Sequence, residues 1–284
     1  MTYLLLGLAA MAVTCQNIFK KKFNKSCNGS AFFFTGMIAV CAMLFFVAFN
    51  RDFYYAPALL GYSAGFALSY AAATIGAVLA MAHGSLAKSA LIISCSLLIP
   101  GMYGILVLEE PTSATLWIGT PLLILALFLI NYEKSAFAEK ISLKWCIFVF
   151  LAFLGNGMCS VVQKAKQEYT AEGNNLFMII ALAMVAIIML AAAFLIKEER
   201  IRIKKTIHHG VLPALICGVA NGLTNLLVIY LNPRIPASTL FPVISGGNVT
   251  LSFLYSVLVL REKFSPRQTV GFLLGVIAII LLNL

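Results

Sequence analysis

A chain of 284 residues that is 62% hydrophobic and only 11% charged does not fit a water-soluble domain, which carries about 25% charged residues. At about 20 apolar residues per crossing, that length accommodates roughly ten membrane helices and leaves no room for a soluble catalytic module, an ectodomain or a nucleic-acid-binding domain. The excess of 20 Lys and Arg over 10 Asp and Glu reads as basic loops that orient the spans and meet membrane lipids, with no nucleic-acid partner.

In chain order, charge and turn punctuation cut the sequence into ten apolar runs. The start, Met1-Thr2-Tyr3-Leu4, lacks the positive stretch of a cleaved leader and is read as part of the first span, 2–19, which ends with Gln16 and Asn17 before Lys20, Lys21 and Lys22. The second run is 30–49; the third, 57–82, holds Tyr70 and leads to His83. The fourth, 85–108, carries Lys88 one turn in, Ser94 and Ser96 near its centre, a Pro100-Gly101 break signal and Tyr103. After Glu109, Glu110 and Pro111 comes the fifth, 114–132. The sixth, 143–163, sets Asn156 between Gly155 and Gly157 and ends at Gln163 and Lys164. The seventh is 175–196, and the eighth, 210–231, holds Asn221 and Asn225. Arg234 precedes the ninth, 236–260, which carries a break signal at Pro242 with Gly246-Gly247 and holds Asn248 and Tyr255; the tenth, 267–284, follows Arg261-Glu262-Lys263. Runs this long satisfy their backbone groups in lipid only as helices.

The chain also repeats itself. Residues 103–132 laid over 255–284 without a gap match at Tyr103/Tyr255, Glu110/Glu262, Ser113/Ser265, Gly119/Gly271, Ala126/Ala278 and Asn131/Asn283, among other positions. A fainter echo pairs Cys15, Lys20 and Lys22 with Cys159, Lys164 and Lys166. Five spans per repeat is an odd number, so the second half enters the membrane with the opposite orientation. The expected fold is an all-α integral membrane protein of ten transmembrane helices in two inverted five-helix repeats, 1–134 and 135–284. Inverted repeats characterise secondary carriers that expose one midplane site alternately.

The hairpins Leu106-Val107-Leu108-Glu109-Glu110-Pro111 and Val257-Leu258-Val259-Leu260-Arg261-Glu262-Lys263-Phe264-Ser265-Pro266, each followed by a Gly-bearing final helix, resemble the drug/metabolite transporter superfamily and its ten-helix EamA-type carriers. The resemblance implies a central cavity lined by helices 1, 3, 4, 6, 8 and 9, with helices 5 and 10 packing at the ends. It implies no substrate. The second hairpin also resembles the small multidrug resistance branch, which uses a glutamate in the middle of its first helix; here that stretch, Gly7 to Asn17, holds no carboxylate.

No span carries Asp or Glu near its middle, which disfavours coupling through a titrating acid and argues against a membrane-embedded enzyme. The seven cysteines show no CxxC spacing, so neither a metal nor a disulfide framework is expected, and no cofactor is called for. The candidate substrate-binding residues are the neutral polar groups at midplane depth: Asn156 and Asn248 first, then Tyr70, Asn221 and Asn225, with Ser94 and Ser96. Interhelical hydrogen bonding explains any single one about as well. Gate candidates are Gln16, Asn17, Gln163, Tyr103, Tyr255 and Lys88, although Lys88 also fits snorkelling to the interface. Glu110 and Glu262 suit a capping role, and His83 and Arg234 suit interfacial ones.

Sixteen of the twenty basic residues follow odd-numbered spans, which places those connections in the cytoplasm and both termini outside a bacterial-type inner membrane. The expected function is transport of a small neutral, zwitterionic or weakly cationic metabolite, of the amino acid or amine class, by a monomer or homodimer. Export of drugs or lipid-linked compounds by the same fold, or a non-transporting membrane scaffold, is the alternative.

Overall fold

The computed structural model describes residues 2–27, 29–49, 54–84, 86–131, 142–170, 172–259 and 265–282. Among these there are ten helices and no strand. They are α1 (Thr2–Cys27), α2 (Ala31–Phe49), α3 (Pro57–His83), α4 (Leu86–Ser94, a 3-10 turn at Cys95–Leu97, then Leu98–Leu106) and α5 (Ala114–Asn131). After them come α6 (Leu143–Tyr169), α7 (Asn174–Leu195), α8 (Lys197–Leu231), α9 (Ala237–Leu258) and α10 (Pro266–Leu282). Eight spans are long and apolar enough to cross a membrane; the apolar stretches of α5 and α10 are shorter, at Ala114–Ile130 and Pro266–Leu282.

Three helices overrun their predicted ends. α1 continues through Lys20–Lys22 to Cys27, α6 runs past Gln163 to Tyr169, and α8 starts at Lys197 and not at 210. Lysine, arginine and glutamate are good helix formers, so a charge run marks where the apolar surface stops and not where the backbone bonding stops. The break in α4 was signalled by Pro100. Proline lacks the N–H that would bond the Ser96 carbonyl, and the chain tightens just before it, the Leu98 N–H turning to the Cys95 and Ser96 carbonyls. Pro242 has no such effect: α9 is continuous from Ala237 to Leu258.

The chain forms two compact units, each drawing on both sequence halves: one is Met1–Met11, Ala72–Val161 and Leu231–Leu284, the other Ala12–Ala71 and Val162–Tyr230. In the first unit α5 packs along α10. A Cβ at Gly119 would stand 3.0 Å from Leu282 Cγ and 3.3 Å from the Ala278 carbonyl oxygen; one at Gly271 would stand 3.0 Å from Ile130 Cγ1 and 3.1 Å from the Ala126 oxygen. Since 119, 126 and 130 map onto 271, 278 and 282 at the repeat offset, the two contacts are images of each other. Tyr103 and Tyr255, another repeat pair, end their helices alike, their carbonyls accepting from Val107 N–H at 3.0 Å and Val259 N–H at 2.9 Å. The same unit buries Trp145 with Ala80 and Val149, its indole N–H donating to Ser89 Oγ at 2.9 Å.

In the second unit α2 packs along α7, and Phe23 stacks on Phe34 at 3.9 Å over Ile38, Ala214 and Cys217. Glu199, on the charged first turn of α8, is buried and accepts from Ser30 Oγ at 2.6 Å and from the Phe32 N–H at 3.1 Å. It thereby caps the start of α2, where unpaired N–H groups favour an anion.

Candidate functional site

Asparagine, serine and tyrosine in an apolar helix must find protein, water or ligand, because lipid offers no partner. In the second unit, α1 and α8 meet through an amide network. Gln16, 4% exposed, donates from Nε2 to Thr224 Oγ1 at 3.4 Å and accepts at Oε1 from Asn221 Nδ2 at 3.3 Å. Asn225 Nδ2 donates back to the Asn221 backbone oxygen at 2.9 Å and to its Oδ1 at 3.1 Å. Gln16 therefore sits well inside the lengthened α1, tied to α8, while neighbouring Asn17 is exposed. Tyr70 of α3 is half-buried, its ring 6.2 Å from that of Phe66.

In the first unit the broken α4 meets α6. Ser96, buried in the 3-10 turn, accepts from Asn156 Nδ2 at 2.6 Å. Asn156 is the midpoint residue of α6 and is exposed, whereas Gly155 and Gly157 on either side are buried. A Cβ at Gly157 would stand 2.6 Å from Ile99 Cβ, so that glycine serves close packing with the second half of α4. Ser94 Oγ turns back to the Ala90 carbonyl at 2.7 Å. On α9, Asn248 is half-buried and its Oδ1 accepts from Ser252 Oγ at 3.4 Å.

The remaining candidates lie apart from these networks. Tyr103 and Tyr255 are half-buried at the ends of their helices. Lys88 belongs to the first turn of α4, with its side chain outside the described residues, as is Glu262 entirely. His83 is exposed and donates from Nδ1 to the Leu79 carbonyl at 2.8 Å, and Arg234 is an exposed turn residue. Glu110 fulfils the capping reading: its Oε2 accepts from the N–H of Ala237, the first residue of α9, at 2.7 Å. Glu109, at φ 51°, makes the turn that aims it there. Glu110→Ala is expected to cost about 1 kcal/mol and to speed amide exchange over Ala237–Thr239, read by hydrogen–deuterium exchange.

Two residues that carry much of the polar structure have no local signature. Glu199 is one. The other is Lys166, fully buried, whose Nζ donates to the Thr170 oxygen at 3.2 Å, the Glu172 oxygen at 2.6 Å and Asn174 Oδ1 at 2.6 Å, 6.0 Å above the Phe177 ring. The repeat echo with Lys22 singled out Lys166, but only the fold brings its three acceptors together. Among the described residues no group of His, Cys, Asp or Glu is arranged to hold a metal.

Comparison with known proteins gives the fold and the family. One solved structure, described only as the crystal structure of a protein, aligns with a TM-score of 0.74 at 13% identity, covering 99% of this chain and 97% of the other. No curated protein matches the sequence. The family model of the EamA-like transporter family matches residues 143–284, half of the chain. This chain belongs to the EamA-like transporter family, the drug/metabolite transporter type of multi-pass membrane protein that its hairpins resembled.

Proposed function

We propose that the protein is a secondary transporter that moves a small neutral, zwitterionic or weakly cationic metabolite, of the amino acid or amine class, by alternating access. The observation that carries this reading is Asn156, exposed at the midpoint of an apolar helix with one donor on Ser96 and its remaining hydrogen-bonding capacity open. Facing lipid it would cost several kcal/mol, so it belongs against a water-filled, solute-accessible space. Within the first unit the amides of Asn156 and Asn248 and the hydroxyl of Ser96 recognise polar solutes without demanding a fixed charge. The image-related contacts of Gly119 and Gly271 and the matching ends at Tyr103 and Tyr255 support two inverted five-helix repeats that exchange roles between the two access states. The basic residues at the ends of α1, α7 and α9 and along the start of α8 favour a cytoplasmic face there, with the start of α1 and the end of α10 on the opposite side of a bacterial-type inner membrane.

The test is counterflow into proteoliposomes loaded with mixed amino acids or mixed amines. Wild-type protein is expected to exchange at least one of these classes. Asn156→Ala is expected to lower the rate about tenfold, the effect of one lost solute hydrogen bond, and to cost no more than about 1 kcal/mol of stability for the lost bond to Ser96. Exchange of sugar phosphates alone contradicts the proposed class.

A further inference from the structure

The last two turns of α6 hold a second set of amides that the α1–α8 network does not use. Gln163 is 4% exposed, and its Nε2 has no hydrogen-bond partner. One turn on, Gln167 Nε2 donates to the Ile229 carbonyl at 2.7 Å, which fixes the sense of that amide; its Oε1 is buried and also has no partner. Residues four apart share one side of a helix, about 6 Å between them. A single stripe of α6 therefore offers an open N–H pair and, one turn later, an open carbonyl oxygen.

Buried polar atoms left open in this way are rare and destabilising, and each asks for an explanation. Charge does not supply it. Lys164, on the next stripe, is paired with Glu168 at 3.3 Å, and Lys166 is held by its three oxygens. What complements the stripe is a compact solute whose acceptor sits next to its donor, spanning it with two hydrogen bonds of about 2.9 Å each. Tyr62 and Tyr169, 5.7 Å apart, lie at the same end of α6 and add aromatic surface.

We propose that Gln163 and Gln167 recognise the headgroup of a zwitterionic amino acid, Gln163 Nε2 donating to the carboxylate and Gln167 Oε1 accepting from the ammonium. This rests on the transport reading above and narrows its substrate class.

A buried open amide replaced by a hydrocarbon of similar size relieves a destabilising group, so a structural and a recognition role separate cleanly. The experiment is thermal unfolding of the detergent-purified full chain with and without millimolar L-alanine, L-serine, L-leucine or L-glutamine. N-acetyl amino acids, which lack the ammonium, and primary alkylamines, which lack the carboxylate, are the controls. Wild-type protein is expected to shift upward with at least one free amino acid and with neither control. Gln163→Leu is expected to unfold at an equal or higher temperature without ligand and to lose the shift. Gln163→Met makes the same test if the leucine variant does not accumulate. A shift retained in these variants, an equal shift with the N-acetyl compounds, or no shift with any free amino acid overturns the proposal. Counterflow of amines, in the absence of an amino acid shift, overturns it while leaving the transport reading in place.

Discussion

Lys166→Met is expected to lower the stability of the chain by about 3 kcal/mol, read as a fall in the thermal unfolding midpoint of the purified protein. The buried ammonium holds two backbone oxygens of the α6–α7 connection and the side-chain oxygen of Asn174, the first residue of α7. Methionine fills the space of the stem but donates nothing, so all three oxygens lose that donor. Hydrogen bonds to charged donors are worth about 1.5–3 kcal/mol each, and relief from burying the ammonium offsets part of their sum. Lys166→Arg is expected to fall in the same direction, because a planar fork does not match three acceptors gathered about a point. An unchanged midpoint in Lys166→Met contradicts this account.

Gly76→Val is expected to cost about 3 kcal/mol or more and to reduce the yield of monodisperse protein, measured by size-exclusion chromatography. A Cβ at Gly76 would stand 2.7 Å from the Ala152 backbone nitrogen and 2.8 Å from the Phe148 oxygen. Backbone cannot rotate aside as a side chain does, so α3 and α6 have to separate. The consequence reaches the site, because Ala152 is one turn from Asn156 on α6. Even Gly76→Ala is therefore expected to lower transport more than Asn156→Ser, since it shifts the helix that presents the asparagine to Ser96. Transport equal to wild type in Gly76→Ala contradicts that coupling.

Much of the fold was legible because lipid imposes one solution on long apolar runs, and because charge marks where those runs leave the membrane. The ends were less legible for the same reason: at Lys20–Lys22 and Lys197–Lys205 the residues that leave lipid are good helix formers, and the backbone continues through them. Asn156, Asn221, Asn225 and Ser96 stood out as polar groups at depth. Their pairings did not, since Gln16 to Asn221 and Asn156 to Ser96 are long-range contacts that no spacing encodes. Glu199 carries no signal of its burial in the sequence, because its partners, Ser30 and Phe32, lie at the start of another helix. Gln163 was recognised as a helix-end polar residue, but its unpartnered amide became visible only once the fold had enclosed it.

The reciprocal pair α5 and α10 has a consequence for the surrounding bilayer. The described apolar stretches of the two, Ala114–Ile130 and Pro266–Leu282, are 17 residues each, about 26 Å of helix. Trp117, Ile118, Leu125, Val270, Leu273 and Ile277 point outward along this pair. The outward side chains come from the last helix of each sequence half, so acyl chains meet both halves along one continuous apolar strip, and a polar substitution at Trp117 or at Val270 disturbs the same lipid contact.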